Sequence, residues 1–252
     1  MLKYIEYYLS GIFCRLIGAD LVKVDILGVK IDNITMADAL KRTEDFFYGG
    51  SHMVFTPNPE IIMYAQKDED FLSTLNSADL LLPDGIGVVI ASKLKGSKIK
   101  ERVPGFDFVC NLLKTGKTFY LFGGKPGVGQ AAASNLEKQG VRVVGYHHGY
   151  FNDDEEIIKD ILSKRPDVLL VCLGAPKQEK WIYKNKDRLN VPLCIGAGGS
   201  LDVLAGNVKR APVIYQKLCL EWLYRAIKQP SRLPRLLCLP QFLIEVLFGG
   251  KQ

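Results

Sequence analysis

The feature that most constrains this chain is a run of six apolar residues, Val168, Leu169, Leu170, Val171, Cys172 and Leu173, closed by Gly174. Strand side chains point alternately to the two faces of a sheet, so a run apolar at every position has no solvated face. It belongs inside a sheet that is covered on both sides. Other short β-rich runs fall at residues 21–27, 52–56, 80–83, 118–122, 141–146 and 192–196. Helical patterns lie between them, at 35–47, 59–66, 70–76, 87–95, 105–114, 128–138, 153–164 and 177–188. This alternation predicts an α/β fold with a mostly parallel sheet and helices on both faces.

Charge divides the chain. The formal charge is +6, yet residues 207–252 carry eight Lys/Arg and two acids, which leaves residues 1–206 neutral. Three parts are expected: an amphipathic extension at 1–20, an α/β catalytic core at 21–206 and a basic, apolar helical appendage at 207–252. The appendage is read as a long helix over 213–229, then Pro230 and Pro234, then the apolar block Leu236, Leu237, Leu239, Phe242, Leu243, Val246 and Leu247. That block is too short to span a bilayer but suits a helix lying in the membrane interface. Truncation after Gly206 is expected to abolish activity and spare the fold.

A neutral body argues against a nucleic-acid partner. The six cysteines form no CxxC pair and sit mostly in apolar runs, as buried reduced thiols do. The first residues lack a cationic start and a small-x-small cleavage site. The expected location is cytoplasmic, peripheral on the inner face of the cell membrane.

Candidate chemistry gathers where strands end and helices begin, the edge at which open α/β sheets bind ligands. Thr56 and Asn58 follow one strand, and Asn58 before Pro59 is also a good helix cap. Asp84 follows another and could accept a proton from a substrate hydroxyl. Near a helix start its pKa is expected to stay low. Arg102 precedes a Pro-Gly break, and Gln178 falls on a first helical turn. Gly123 and Gly124, then Gly174, Ala175 and Pro176, then Gly196, Gly198, Gly199 and Asp202 form three turns suited to a nucleotide sugar, with tight packing as the alternative. None is a clean GxGxxG or GxxxxGK[ST], so a nicotinamide or Walker-type site is disfavoured. Asp68, Glu69 and Asp70 spell a DxD triplet, read as helix-start charge and not as a metal site. Arg225, Lys228, Arg232 and Arg235 are spaced three, four and three apart, a cationic stripe suited to a lipid-linked diphosphate.

Six ordered motifs then carry a resemblance: Thr56-Pro57-Asn58, Pro83-Asp84-Gly85, Arg102-Val103-Pro104-Gly105, Gly174 to Gln178, Gly198 to Asp202, and Arg210-Ala211-Pro212 followed by Leu220 to Arg225. From about Val24 to Arg235 the chain resembles the WecG/TagA/CpsF glycosyltransferases, and within them the members that transfer N-acetylmannosamine in wall teichoic acid synthesis. The resemblance implies a Rossmann-like fold and an inverting, metal-independent transfer without a cofactor. N-acetylmannosamine would pass from a UDP-sugar donor to the 4-hydroxyl of a polyprenyl-diphosphate-linked GlcNAc acceptor, giving a β1,4 linkage. It implies that Asp84 is the general base, that Thr56, Asn58, Arg102 and Gln178 are active-site positions, and that Arg225, Arg232 and Arg235 hold the lipid diphosphate. It also implies a homo-oligomer that becomes a monomer on an anionic membrane surface. Two alternatives stay open: another UDP-sugar donor, the uronic acid or glucose, and a non-catalytic membrane protein binding lipid or nucleotide.

Overall fold

The computed structural model describes residues 22–228, 233 and 237–249. The extension at 1–20, Arg232 and Arg235 lie outside the described residues. In chain order the strands are β1 (Lys23–Ile26), β2 (Val29–Asp32), β3 (His52–Phe55), β4 (Leu80–Leu81), β5 (Thr118–Gly123), β6 (Arg142–His147), β7 (Val168–Cys172) and β8 (Leu193–Gly196). The helices are α1 (Met36–Phe46), α2 (Pro59–Ala65), α3 (Glu69–Asn76), α4 (Ile86–Leu94), α5 (Gly105–Leu112), α6 (Val128–Glu137), α7 (Glu155–Lys164), α8 (Lys177–Leu189), α9 (Ser200–Leu204), α10 (Val213–Lys217), α11 (Glu221–Lys228) and α12 (Cys238–Phe248).

Strands β4-β3-β8-β7-β5-β6 form one sheet, parallel at every pairing. The doubly apolar runs explain its position. Tyr120, Phe122, Leu169, Val171 and Cys194 enter one core with α2, α3, α4, α7 and α8. Phe119, Leu121, Leu170, Cys172 and Ile195 enter the other with α1, α5, α6 and α9. Adjacent residues of one strand therefore serve opposite cores, as the period of two requires. Burial pushes the Cys172 and Cys194 thiols up to about 12, which keeps them protonated and inert.

Strands β1 and β2 form a separate antiparallel hairpin. Only its first strand is legible in the sequence. Its turn places Leu27 and Gly28 at φ +52° and +82°, as a two-residue hairpin loop demands, but without the usual Asn or Asp before the glycine. Asp32 pins the hairpin to the sheet, accepting the Leu81 N–H at 2.7 Å.

The expected long helix at 213–229 is broken. Cys219 takes φ +60° between α10 and α11. The Leu220 N–H reaches back to the Tyr215 carbonyl at 2.8 Å and the Cys219 N–H to that of Gln216 at 3.1 Å. This is a Schellman stop with cysteine in the place usually held by glycine, so no residue type announces it.

Helix α12 corrects the truncation expectation. Phe242 is fully buried and Val246 nearly so, in the same core as Ile62, Val88 and Ala91. A side chain on Gly87 of α4 would overlap Leu239. Removing residues 207–252 would uncover that core, so a loss of stability is expected beside the loss of activity. The outer side of α12 remains apolar, with Ile244, Leu247 and Phe248 exposed. No described helix is long and apolar enough to cross a membrane.

Candidate active site

Parallel strands bring their carboxyl ends to one edge, so Thr56, Asp84, Gly123, Gly174 and Gly196 share it. The chain leaves β5 towards α6 on one face and β7 towards α8 on the other, so the crevice between these two adjacent strands is a topological switch point. The expected glycine turns converge there. The Gly124 N–H donates to the Cys172 carbonyl at 3.2 Å, and Ala197 donates to Val171 at 2.8 Å. Gly123 sits at φ +133°, where a Cβ would overlap the Cys172 backbone, so only glycine lets the two strand ends close up. The Ala175–Pro176 peptide is cis. Asp202, in the first turn of α9, lies near enough to Cys172 to raise its thiol further.

The second cluster surrounds Asp84. The Val103 N–H donates to the Pro83 carbonyl at 3.0 Å, which lays residues 102–105 alongside Asp84. Gly105 then touches Thr56, because a Cβ there would meet the Thr56 Cγ2 at 2.8 Å. Asn58 flanks the same turn: a Cβ on Gly85 would lie 3.8 Å from that of Asn58. Asn58 is a genuine helix cap, accepting the Ile61 N–H at 3.0 Å. Asp84 is not a cap. Gly85 holds that position and no side chain caps α4.

The expectation of a low Asp84 pKa is overturned. Burial pushes its carboxyl up to about 6, although part of the residue still meets solvent. The Arg102 charge, the Gly105 N–H and the Arg225 charge pull it down, and Glu221 pushes it up. Desolvation exceeds the two cations because it acts on the carboxylate directly. The result is a base poised near neutrality.

The arginines come from the appendage as well as the core. Arg102 donates to the Gln216 carbonyl at 3.5 Å and has no ion-pair partner among the described residues. Arg225 pairs with Glu221 at 2.6 Å, one helical turn away. Arg210 joins Asp107 at 2.6 Å to Glu221 at 3.8 Å and lies over the Phe106 ring. Glu221 and Arg210 belong to this cluster although neither stands at a strand end. Their signal in the sequence is membership of the last ordered motif. The acidic triplet is structural, since Asp68 caps α3 through the Phe71 N–H and pairs with Lys180 at 2.7 Å.

Gln178 is no solvated first-turn residue. It is 2% exposed, and its Oε1 accepts the Gly198 N–H at 3.0 Å while its Nε2 donates to Glu179 at 2.8 Å. Glu179, which no sequence motif singles out, is 1% exposed. Burial pushes its carboxyl up to about 7 against the Gln178 contact and its own backbone amide.

A doubly covered parallel sheet, a switch-point crevice lined by glycine turns, and a buried carboxyl among arginines place the chain in the class of α/β proteins with a ligand site at the strand ends. The chain belongs to the glycosyl transferase WecG/TagA/CpsF family, whose sequence profile matches residues 24–251. It is 37% identical over 233 residues to a protein of Staphylococcus aureus strain MRSA252 named N-acetylglucosaminyldiphosphoundecaprenol N-acetyl-beta-D-mannosaminyltransferase, covering 89% of this chain and 92% of that one. A protein of strain MW2 with the same name is 36% identical over the same span.

Proposed function

We propose that the protein transfers N-acetylmannosamine from UDP to the 4-hydroxyl of GlcNAc carried on a polyprenyl diphosphate, with inversion to a β1,4 linkage, at the inner face of the cell membrane. The observation that carries this reading is Asp84, raised to about 6 and facing Arg102 and Arg225. In this mechanism Asp84 takes the proton of the acceptor hydroxyl as that oxygen attacks the anomeric carbon. The carbon–oxygen bond to UDP breaks on the opposite side, and UDP leaves with the electron pair. Thr56 and Asn58 border the attack position. Arg102 and Arg225 hold diphosphate oxygens through charge-assisted hydrogen bonds, with Arg232 and Arg235 assigned to the same role. The arginines supply the positive charge, so the reaction needs no divalent ion.

The names of the relatives support the acceptor, and the exposed face of α12 supports a peripheral membrane position. A donor screen with a short-chain GlcNAc-diphospho-lipid acceptor tests the reading. UDP-N-acetylmannosamine is expected to give disaccharide and free UDP. Turnover only with another UDP-sugar would replace the donor assignment, and absence of turnover with any donor would favour a binding protein.

A further inference from the structure

The Gln178–Glu179 pair sits at the ligand edge, and one of its atoms has an unmet valence. Glu179 Oε1 accepts from Gln178, but Glu179 Oε2 is buried with no hydrogen-bond partner among the described residues. An orphaned carboxyl oxygen is a costly feature of a protein interior. Its surroundings locate it at the carboxyl end of β8. A Cβ built on Gly196 would lie 3.1 Å from Gln178 Nε2, 3.4 Å from Glu179 Oε1 and 3.3 Å from the ring of Phe55, the residue before Thr56. Glycine at 196 thus makes room for two polar side chains over the strand end. The turns beside them are open among the described residues: none of these lies within 4 Å of a Cβ placed on Gly174, Gly198 or Gly199.

The chemistry of the orphan selects its ligand. No cation among the described residues perturbs Glu179; burial raises its carboxyl against two hydrogen bonds. A phosphate or a uronate carboxylate would meet a buried acid with no compensating charge. A neutral hydroxyl or amide suits it in either protonation state, because a hydroxyl both donates and accepts. Gln178 adds to the same surface. Its amide orientation is fixed at both ends, which leaves one N–H and one lone pair free to point at a ligand.

We propose that Glu179 is a sugar-recognition residue whose Oε2, with the spare valences of Gln178, binds a hydroxyl or the N-acetyl amide of the donor sugar. Glu179 also positions Gln178 and, through it, the turn at Gly198. This inference rests on the glycosyl-transfer reading, and the test separates the two. The full-length protein, Glu179→Gln and Gly196→Ala are compared with UDP-N-acetylmannosamine as donor. Glu179→Gln keeps an acceptor for Gln178 and changes only the second carboxyl position. Gly196→Ala displaces the pair sterically and leaves its charge unchanged.

The expected result for both variants is a fall of tenfold or more in kcat/KM for the donor, with the inhibition constant of UDP alone within twofold of wild type and the melting temperature retained. Donor kinetics like wild type in both would overturn the inference, and so would an equal loss of UDP affinity, which marks a scaffold role. If Glu179→Gln does not fold, Gly196→Ala decides by the same criteria. Inactivity of the wild-type protein with every donor would defeat the parent reading instead.

Discussion

The two ends of the site treat charge in opposite ways. Around Asp84 three acids and three arginines interlock: Asp84, Asp107 and Glu221 with Arg102, Arg210 and Arg225. Around Glu179 two polar side chains are buried, and no cation among the described residues shifts the Glu179 carboxyl. Burial raises both carboxyls, but charged neighbours modulate Asp84, whereas only hydrogen bonds oppose the rise at Glu179. A mixed charge cluster can accommodate diphosphate by exchanging partners. A buried acid with no cation beside it among the described residues disfavours anions and favours neutral hydroxyls. The difference teaches that one edge of one sheet can hold two environments of opposite electrostatic character, one suited to diphosphate and one to neutral sugar groups.

The strongest way to break this comparison is Asp84→Asn. Turnover is expected to fall by roughly 10²–10⁴, the usual worth of a general base, with UDP affinity nearly unchanged by calorimetry. Turnover like wild type would remove Asp84 from its role. The same variant has a second readout. A raised carboxyl keeps its proton in the folded state at a pH where the unfolded chain has lost it, so stability declines as pH rises from about 3.8 towards about 6. Above that window Asp84 costs on the order of 2 kcal/mol, discounted for its solvent contact. Asp84→Asn is therefore expected to melt higher than wild type at pH 7.5 and to lose that advantage near pH 4.

Next in size, Arg102→Ala and Arg225→Ala should each raise KM for the diphospho-lipid acceptor by about 10- to 100-fold, the range for one charge-assisted hydrogen bond. A matching acceptor with a single phosphate should be affected less. Equal effects on both acceptors would assign the arginines to the donor or to structure. A smaller effect lies in pH. The acid limb of kcat/KM should fall near 6 in the wild type. Glu221→Gln should move it down, because Glu221 raises the Asp84 carboxyl, and Arg102→Ala should move it up. A limb unmoved by either change would separate Asp84 from the observed titration. The smallest expected effect is that of EDTA, which should leave turnover unchanged; inhibition reversed by manganese would restore a metal to the mechanism.

Much of this is legible in the sequence, for identifiable reasons. Runs such as 168–173 have only one environment that suits them, so the layered sheet follows directly. Asp84, Arg102 and Thr56 are legible as residues beside strand ends and loop breaks. Their assembly is not, because it depends on the hydrogen bond between Val103 and Pro83, which joins segments with no shared periodicity. The Asp84 pKa escapes the sequence for a related reason: its desolvation and its charged neighbours come from segments distant in the chain, including α11. Glu179 is hidden by its place in a first helical turn, where an acid normally only complements the helix dipole.

The burial of Phe242 also bears on how the protein is made. Its core partners Ile62, Val88 and Ala91 leave the ribosome roughly 150 to 180 residues earlier. The side of α2 and α4 that α12 covers must stay open until residues 238–248 have been synthesised. A nascent or prematurely terminated chain thus exposes the core that a finished one hides. A chain that stops before residue 238 leaves this apolar surface open to chaperones and proteases.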